Sequence, residues 1–242
     1  MIREFEGIVV SETPYSESSK IINILTKDAG IVGIMAKGAK RIKSPLRVAT
    51  EKFTLGTFNV YYHKDKLSTL VSADISNPLR NIKSDIIKIG YLTYIVELAY
   101  QTAKQNDDAE IYNILKATIL KIEAGLNPMV MTNILELKML DYLGVGIDLN
   151  KCIKCGNKTN IVTISGDEGG YICSECRTNE IIYSEKTIKM FRLYYYVDIG
   201  SVSELKISDE VVQNINKILT DYYDRFTGLY LKSKDFLKNV IE

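Results

Sequence analysis

The chain has no tryptophan, a single histidine, four prolines and only four cysteines in 242 residues. With His63 as the lone imidazole, no Ser-His-Asp or Cys-His arrangement with spare members can be drawn. The glycines fall in no G-x-x-x-x-G-K-[ST] loop, no G-x-G-x-x-G turn and no G-x-S-x-G elbow, so nucleotide hydrolysis and serine hydrolysis lack their usual scaffolds. No apolar run approaches the roughly eighteen residues of a membrane span. The start, Met1-Ile2-Arg3-Glu4-Phe5-Glu6, is charged at once and lacks the apolar core of a secretory signal. These absences lead us to expect a soluble, cytoplasmic, non-enzymatic protein that binds rather than catalyses, with no membrane partner.

A strong overall charge is also missing, since the formal net charge is +1. The balance is local instead. Residues 1–80 hold 12 Lys and Arg against 8 Asp and Glu, and the remainder holds 19 against 22. Lys37, Lys40, Arg41, Lys43, Arg47 and Lys52 stand together against one acid, Glu51. Such a cluster is a solvated face or a phosphate-binding surface, and composition alone leaves both open.

The four cysteines form two pairs, Cys152-Ile-Lys-Cys155 and Cys173-Ser-Glu-Cys176, separated by seventeen residues. Thiolates two residues apart on a tight turn grip one ion together, so two facing turns make a tetrahedral sulfur cage for one structural Zn²⁺. Disulfides, free thiols or a dithiol oxidoreductase would use the same residues. A closed Cys₄ site has no vacant position at which to activate water. The cations beside it, Lys151, Lys154, Lys158 and Arg177, suggest nucleic acid, whereas a metal that stands in for a missing core explains the site with no ligand at all.

Alternation predicts five strands in the first eighty residues: around Phe5, Ile8 and Val10; around Ile22 and Ile24; over Ile31 to Ala36 after a turn at Gly30; over Phe53 to Tyr62; and over Leu67 to Ala73. Five short strands close into a barrel more readily than they leave edges open, and a basic connection between the third and fourth suits a five-stranded OB barrel. After Pro78 the apolar spacing turns helical, through Ile82 to Ala99, Ile111 to Ile122 and Met131 to Leu143, with Gly125 and Gly144 as stops. Helical periodicity resumes after Ser184 and runs from Ser208 to Phe236, the cysteine module lying between. The expected class is α+β and multidomain: an OB domain over 1–79, then an all-α domain over 80–242 with a zinc module inserted at 150–182.

Of sixteen tyrosines, Tyr61 and Tyr62 are adjacent on a predicted strand, so one ring points inward and the other outward as a platform for a base. Tyr194 to Tyr196, Tyr222 and Tyr223 fall in helices and read as packing.

In order along the chain, Tyr15 to Thr26, Gly30, Ala36 to Ser44, Pro78-Leu79-Arg80, Leu135 to Gly144 leading into Cys152-x-x-Cys155-Gly156, and Leu231 to Leu237 resemble the bacterial recombination mediator family RecO. The resemblance implies an OB barrel, a helical domain and the four-cysteine zinc site. It further implies binding of single- and double-stranded DNA, annealing of complementary strands, and assistance to RecA loading on DNA coated by single-stranded-DNA-binding protein. The implied partners are RecR, the C-terminal tail of that coating protein and, indirectly, RecA; the implied place is the nucleoid. On this basis Lys37, Lys40, Arg41, Lys43 and Arg47 are the expected phosphate contacts, with Lys20, Tyr61 and Tyr62 as secondary candidates. A zinc-ribbon adaptor acting only through proteins is the competing reading.

Overall fold

One long strand organises the N-terminal half. In the computed structural model, which describes residues 1–203 and 206–241, β1 runs from Ile2 to Pro14. Its first half pairs with β4 (Leu55–Tyr61) and its second half with β2 (Lys20–Thr26), both antiparallel. β3 (Ile31–Ala36) continues from β2, and β5 (Ser68–Asn77) joins β3 in parallel and β4 in antiparallel. The order β1-β2-β3-β5-β4 closes on itself as a five-stranded barrel, the OB arrangement. A bulge between Val9 and Ser11 lets β1 bend from one neighbour to the other.

Alternation dictates the interior. Phe5, Val9, Ile22, Ile24, Val32, Ile34, Phe58, Val60 and Leu70 are buried together, with Ala36 and Ala39. Two glycines, Gly7 and Gly56, stand opposite each other where β1 meets β4. A Cβ on Gly56 would stand 2.2 Å from the Asp74 carbonyl oxygen, and one on Gly7 would stand 2.9 Å from that of Leu25. Only hydrogen fits at this corner.

Short helices punctuate the barrel: α1 (Leu46–Ala49) precedes β4, and α2 (Arg80–Lys83) follows β5. The predicted strand from Phe53 begins instead at Leu55, because Phe53 takes a left-handed backbone (φ 73°) that interrupts the pleat. Val9 still exchanges backbone hydrogen bonds with Phe53 and Thr54, at 2.8 and 2.9 Å.

Three long helices follow, α3 (Ile86–Gln105), α4 (Glu110–Glu123) and α5 (Pro128–Tyr142). Asp85 caps α3 and Asn127 caps α5, each accepting from two backbone N–H groups. Beyond α5 come β6 (Asp148–Cys152), β7 (Ile161–Ser165) and β8 (Gly170–Cys173), a three-stranded sheet ordered β6-β8-β7. α6 (Glu185–Tyr196) starts at the expected cap, Ser184, whose hydroxyl accepts from Thr187 N–H. The helical run expected from Ser208 to Phe236 is two helices, α7 (Asp209–Phe226) and α8 (Lys232–Ile241), broken at Gly228 with φ 62°.

By packing the chain divides into two units, 1–119 with 233–242, and 120–232. A helical domain over 80–242 follows element type, whereas packing assigns α3 and α8 to the unit that holds the barrel. Within that first unit Leu237 and Val240 of α8 pack on Gly90 of α3, and Glu97 accepts from Ser233 N–H at 2.8 Å. Glu6 of β1 takes the Lys116 ammonium and, at 3.1 Å, the Tyr112 hydroxyl. The Lys116 contact, set against burial, holds the Glu6 carboxyl below the usual range. In the second unit Tyr223 donates to the Glu136 carbonyl and Tyr222 to that of Val145, both at 2.8 Å, so these helical tyrosines do pack. No helix among the described residues is long and apolar enough to cross a membrane.

The Gly7–Gly56 corner yields a direct test. Gly56→Ala forces backbone apart at Asp74 and is expected to lower unfolding stability by about 1–3 kcal/mol, read as a lower urea midpoint at unchanged m-value.

Candidate nucleic-acid interface and metal centre

The basic segment leaves β3 at Ala36 and folds into a turn over residues 37–44 that is anchored from within. Ala39 is buried in the barrel core, and Gly38 adopts φ 70°, which favours glycine. Arg41 N–H returns to the Gly38 carbonyl at 3.1 Å, and Ser44 N–H to that of Arg41 at 3.0 Å. Lys37, Lys40, Arg41, Lys43 and Arg47 are all exposed, as is Ile42 between two cations.

This turn is fastened to the one joining β1 and β2, residues 15–19. Lys40 N–H donates to the Ser18 carbonyl and its ammonium to the Ser16 carbonyl, both at 2.9 Å. Gly38 N–H donates to the Ser19 hydroxyl at 3.2 Å. Lys40 is therefore a fastener as well as a cation. Among the described residues the side chains of Arg41, Lys43, Lys37 and Arg47 carry no such tie.

Two expected contacts are committed elsewhere. Lys20 is buried, and its ammonium sits 2.6 Å from the Glu12 carboxylate. The register explains it: Lys20 lies opposite Pro14, one diagonal step from Glu12 on the same face. Tyr62 turns inward and packs edge-on against Phe5, ring centroids 5.2 Å apart, with Arg3 over both rings. Tyr61 is the outward ring, half exposed, across β5 from Met35 through the pairings Tyr61–Thr69 and Thr69–Met35.

Sequence reasoning passed over three side chains here. Lys64 and Lys66 are exposed in the β4–β5 turn, whose Leu67 reaches Gly33 on the outer face of β3. Tyr15, in the β1–β2 turn, is 65% exposed. The signal available for all three was their position in turns that an OB barrel presents to its ligands.

The cysteines meet as their spacing requires. All four Sγ atoms lie within 4.8 Å of one another, and those of Cys155 and Cys173 are 3.7 Å apart. A tetrahedral thiolate site with metal–sulfur bonds near 2.3 Å has sulfur–sulfur edges of about 3.8 Å. The donor set fits a soft divalent ion. Each pair sits on a tight turn: Gly156 N–H returns to the Cys152 carbonyl at 2.8 Å with φ 77°, and Arg177 N–H to that of Cys173 at 3.1 Å.

Electrostatics sets Cys152 apart from Cys176. Burial opposes ionisation of Cys152, but the backbone N–H groups of Cys173, Cys155 and Lys154 outweigh it and bring that thiol down to about 6. Cys176 is pushed up to about 12, chiefly through its contact with Cys155. Four adjacent sulfurs cannot all become thiolates unless a cation sits among them. Of the neighbouring cations, Lys154 is bound to Glu180 at 2.8 Å and Glu168 at 3.5 Å, and Arg177 donates to the Glu180 carbonyl at 2.9 Å. These two fasten the module rather than face a ligand.

Comparison with known proteins agrees with this geometry. Residues 1–79 match the family profile described as recombination protein O N terminal, and residues 83–235 match recombination protein O C terminal. Among curated relatives, the DNA repair protein RecO of Listeria monocytogenes serotype 4b (strain CLIP80459) is 32% identical over 239 residues, covering 97% of this chain and 93% of the relative. That of Bacillus pumilus (strain SAFR-032) is 30% identical over 244 residues, covering 99% and 95%. That of Halalkalibacterium halodurans is 30% identical over 241 residues, covering 98% and 94%. With a closed N-terminal barrel, a fastened basic turn and a four-sulfur cluster in one chain, matched over nearly its full length, this chain belongs to the RecO family of DNA repair proteins.

Proposed function

We propose that the protein is a non-enzymatic recombination mediator that binds single- and double-stranded DNA through its barrel, anneals complementary strands and assists RecA loading onto DNA coated by single-stranded-DNA-binding protein, together with RecR. The observation that carries the reading is the basic turn 37–44, held rigid by Ala39 and by Lys40, with Lys37, Arg41 and Lys43 exposed on it and Arg47 just beyond. Cations on a preorganised turn meet phosphates without first losing backbone freedom. Lys20 is paired with Glu12 instead of touching DNA, and Tyr61 offers its outward face.

The metal in this reading is one Zn²⁺ held by Cys152, Cys155, Cys173 and Cys176. Bound there, it supplies no vacant position for catalysis and serves to cross-link two turns. For the acidic tail of the coating protein, the second unit offers a cavity of about 450 Å³ lined by Leu126, Asn127, Val130, Met131 and Val202. The Lys121 ammonium is bound at 2.6 Å to the carbonyl of Val202, one of the lining residues.

Three measurements test these statements. The triple variant Lys37→Ala/Arg41→Ala/Lys43→Ala is expected to flatten the slope of log K against log salt by about 2 on single strands, since each phosphate-bound cation removed lowers it by about 0.7; Lys20→Ala leaves the slope unchanged, and an unaltered slope in a folded triple variant overturns the assignment. Wild-type protein accelerates annealing of complementary oligonucleotides precoated with single-stranded-DNA-binding protein, and the absence of acceleration favours an adaptor without DNA contact. Metal analysis of purified protein returns one zinc per chain with four masked thiols, which become titratable on chelation; free thiols before chelation would point to dithiol chemistry instead.

A further inference from the structure

We propose that Tyr15 is a base-stacking residue that gives this protein a preference for unpaired nucleotides. The inference rests on the reading that the basic turn holds DNA phosphates, and it adds the side chain that separates single strands from duplex.

The argument begins with how Tyr15 is held. Its backbone N–H donates to the Ser19 carbonyl at 3.1 Å, and Ser16 N–H donates to the same oxygen at 3.2 Å. Ser19 N–H returns to the Ser16 hydroxyl at 3.2 Å, closing the turn on itself. The three hydrogen bonds from Lys40 and Gly38 then lock this turn to the basic one. The backbone of Tyr15 thus belongs to the same rigid bracket as Arg41 and Lys43.

Its side chain is another matter. The residue is 65% exposed, and its side chain has no ring contact and no hydroxyl hydrogen bond among the described residues. Tyr112, Tyr195, Tyr222 and Tyr223 all have a bonded hydroxyl. A large aromatic surface held out in water by an ordered backbone costs free energy until something flat covers it. The same bracket exposes Ile42 at 85%, flanked in sequence by Arg41 and Lys43. In residues 15–19 and 37–44 the single acid is Glu17, against Lys37, Lys40, Arg41 and Lys43.

Ligand chemistry follows from that combination. Cations with an interleaved free aromatic match a polyanion that carries exposed aromatic faces, which is single-stranded nucleic acid. In a duplex those faces are already stacked, so phosphates can still meet Arg41 and Lys43 but no base is available to Tyr15. Phosphate contacts are common to both forms, and stacking belongs to one.

The experiment compares wild type, Tyr15→Ala and Tyr15→Phe for binding to a fluorescent oligothymidine and to a duplex of the same length, across a salt series. Stacking on an aromatic contributes about 1–3 kcal/mol per base, so Tyr15→Ala should weaken single-strand binding by about five-fold or more. Duplex affinity and both salt slopes stay as in wild type, because no charge is removed, and Tyr15→Phe binds within about two-fold of wild type because the ring remains. Unchanged single-strand affinity in Tyr15→Ala, or an equal loss on both ligands, overturns the assignment to Tyr15 while leaving the basic turn in place. Failure of the wild-type protein to bind either ligand overturns the DNA-contact reading itself.

Discussion

The double pairing of β1 is the constraint on which the rest of the barrel depends. One strand of thirteen residues pairs with β4 along its first half and with β2 along its second, which is what lets five strands close into a barrel. The bend this demands is met by the bulge after Val9 and by two facing glycines, and the same closure brings the parallel pairing of β3 with β5 within reach. The β1–β2 turn and the segment leaving β3 are then neighbours by necessity, since β2 joins them and its pairing ends with Lys20 beside Ala36. A basic turn fastened to a serine-rich one is therefore a product of topology as much as of composition.

Much of this was legible in the sequence where a local rule and the tertiary outcome agree. Strand alternation exposed the barrel interior because inward and outward residues are chemically different there. Cysteine spacing foretold the four-sulfur cluster because two residues between thiols is what a tight turn allows. Ser184 and Gly125 acted as a start and a stop because capping is a matter of a few neighbouring atoms. What escaped depended on register or on distant partners. Nothing near Lys20 in the chain says that Glu12 lies diagonally across the sheet, and nothing near Lys40 says that two serine carbonyls await it. Phe53 reads as the start of a strand by composition, yet its backbone is left-handed while its N–H donates to the distant Val9 carbonyl. The break at Gly228 was hidden by apolar spacing that continues across it.

The cysteine module illustrates how few contacts a small sheet needs when four sulfurs converge. Its strands are four or five residues long, too short to be stable alone. Lys154 and Arg177, which look from sequence like ligand-facing cations, converge on Glu180, the Glu180 carboxyl lying at about 2 because the Lys154 ammonium and nearby N–H groups favour its charged form. Charge here is used for internal order. On the barrel it is left facing water.

The first packing unit is discontinuous: Ser233 onward belongs with residues 1–119, and the intervening Leu120–Lys232 forms the other unit. On the ribosome this order has a cost in time. The barrel strands and α3 emerge early, but the side of α3 where Gly90 admits Leu237, and the Glu97 carboxylate that receives Ser233, have no partner until more than a hundred further residues have been made. At synthesis rates of about 5–20 residues per second, that interval is on the order of ten seconds. For that span the nascent barrel unit carries an uncovered helix face, and α8, made after the whole of the other unit, is the helix that closes it.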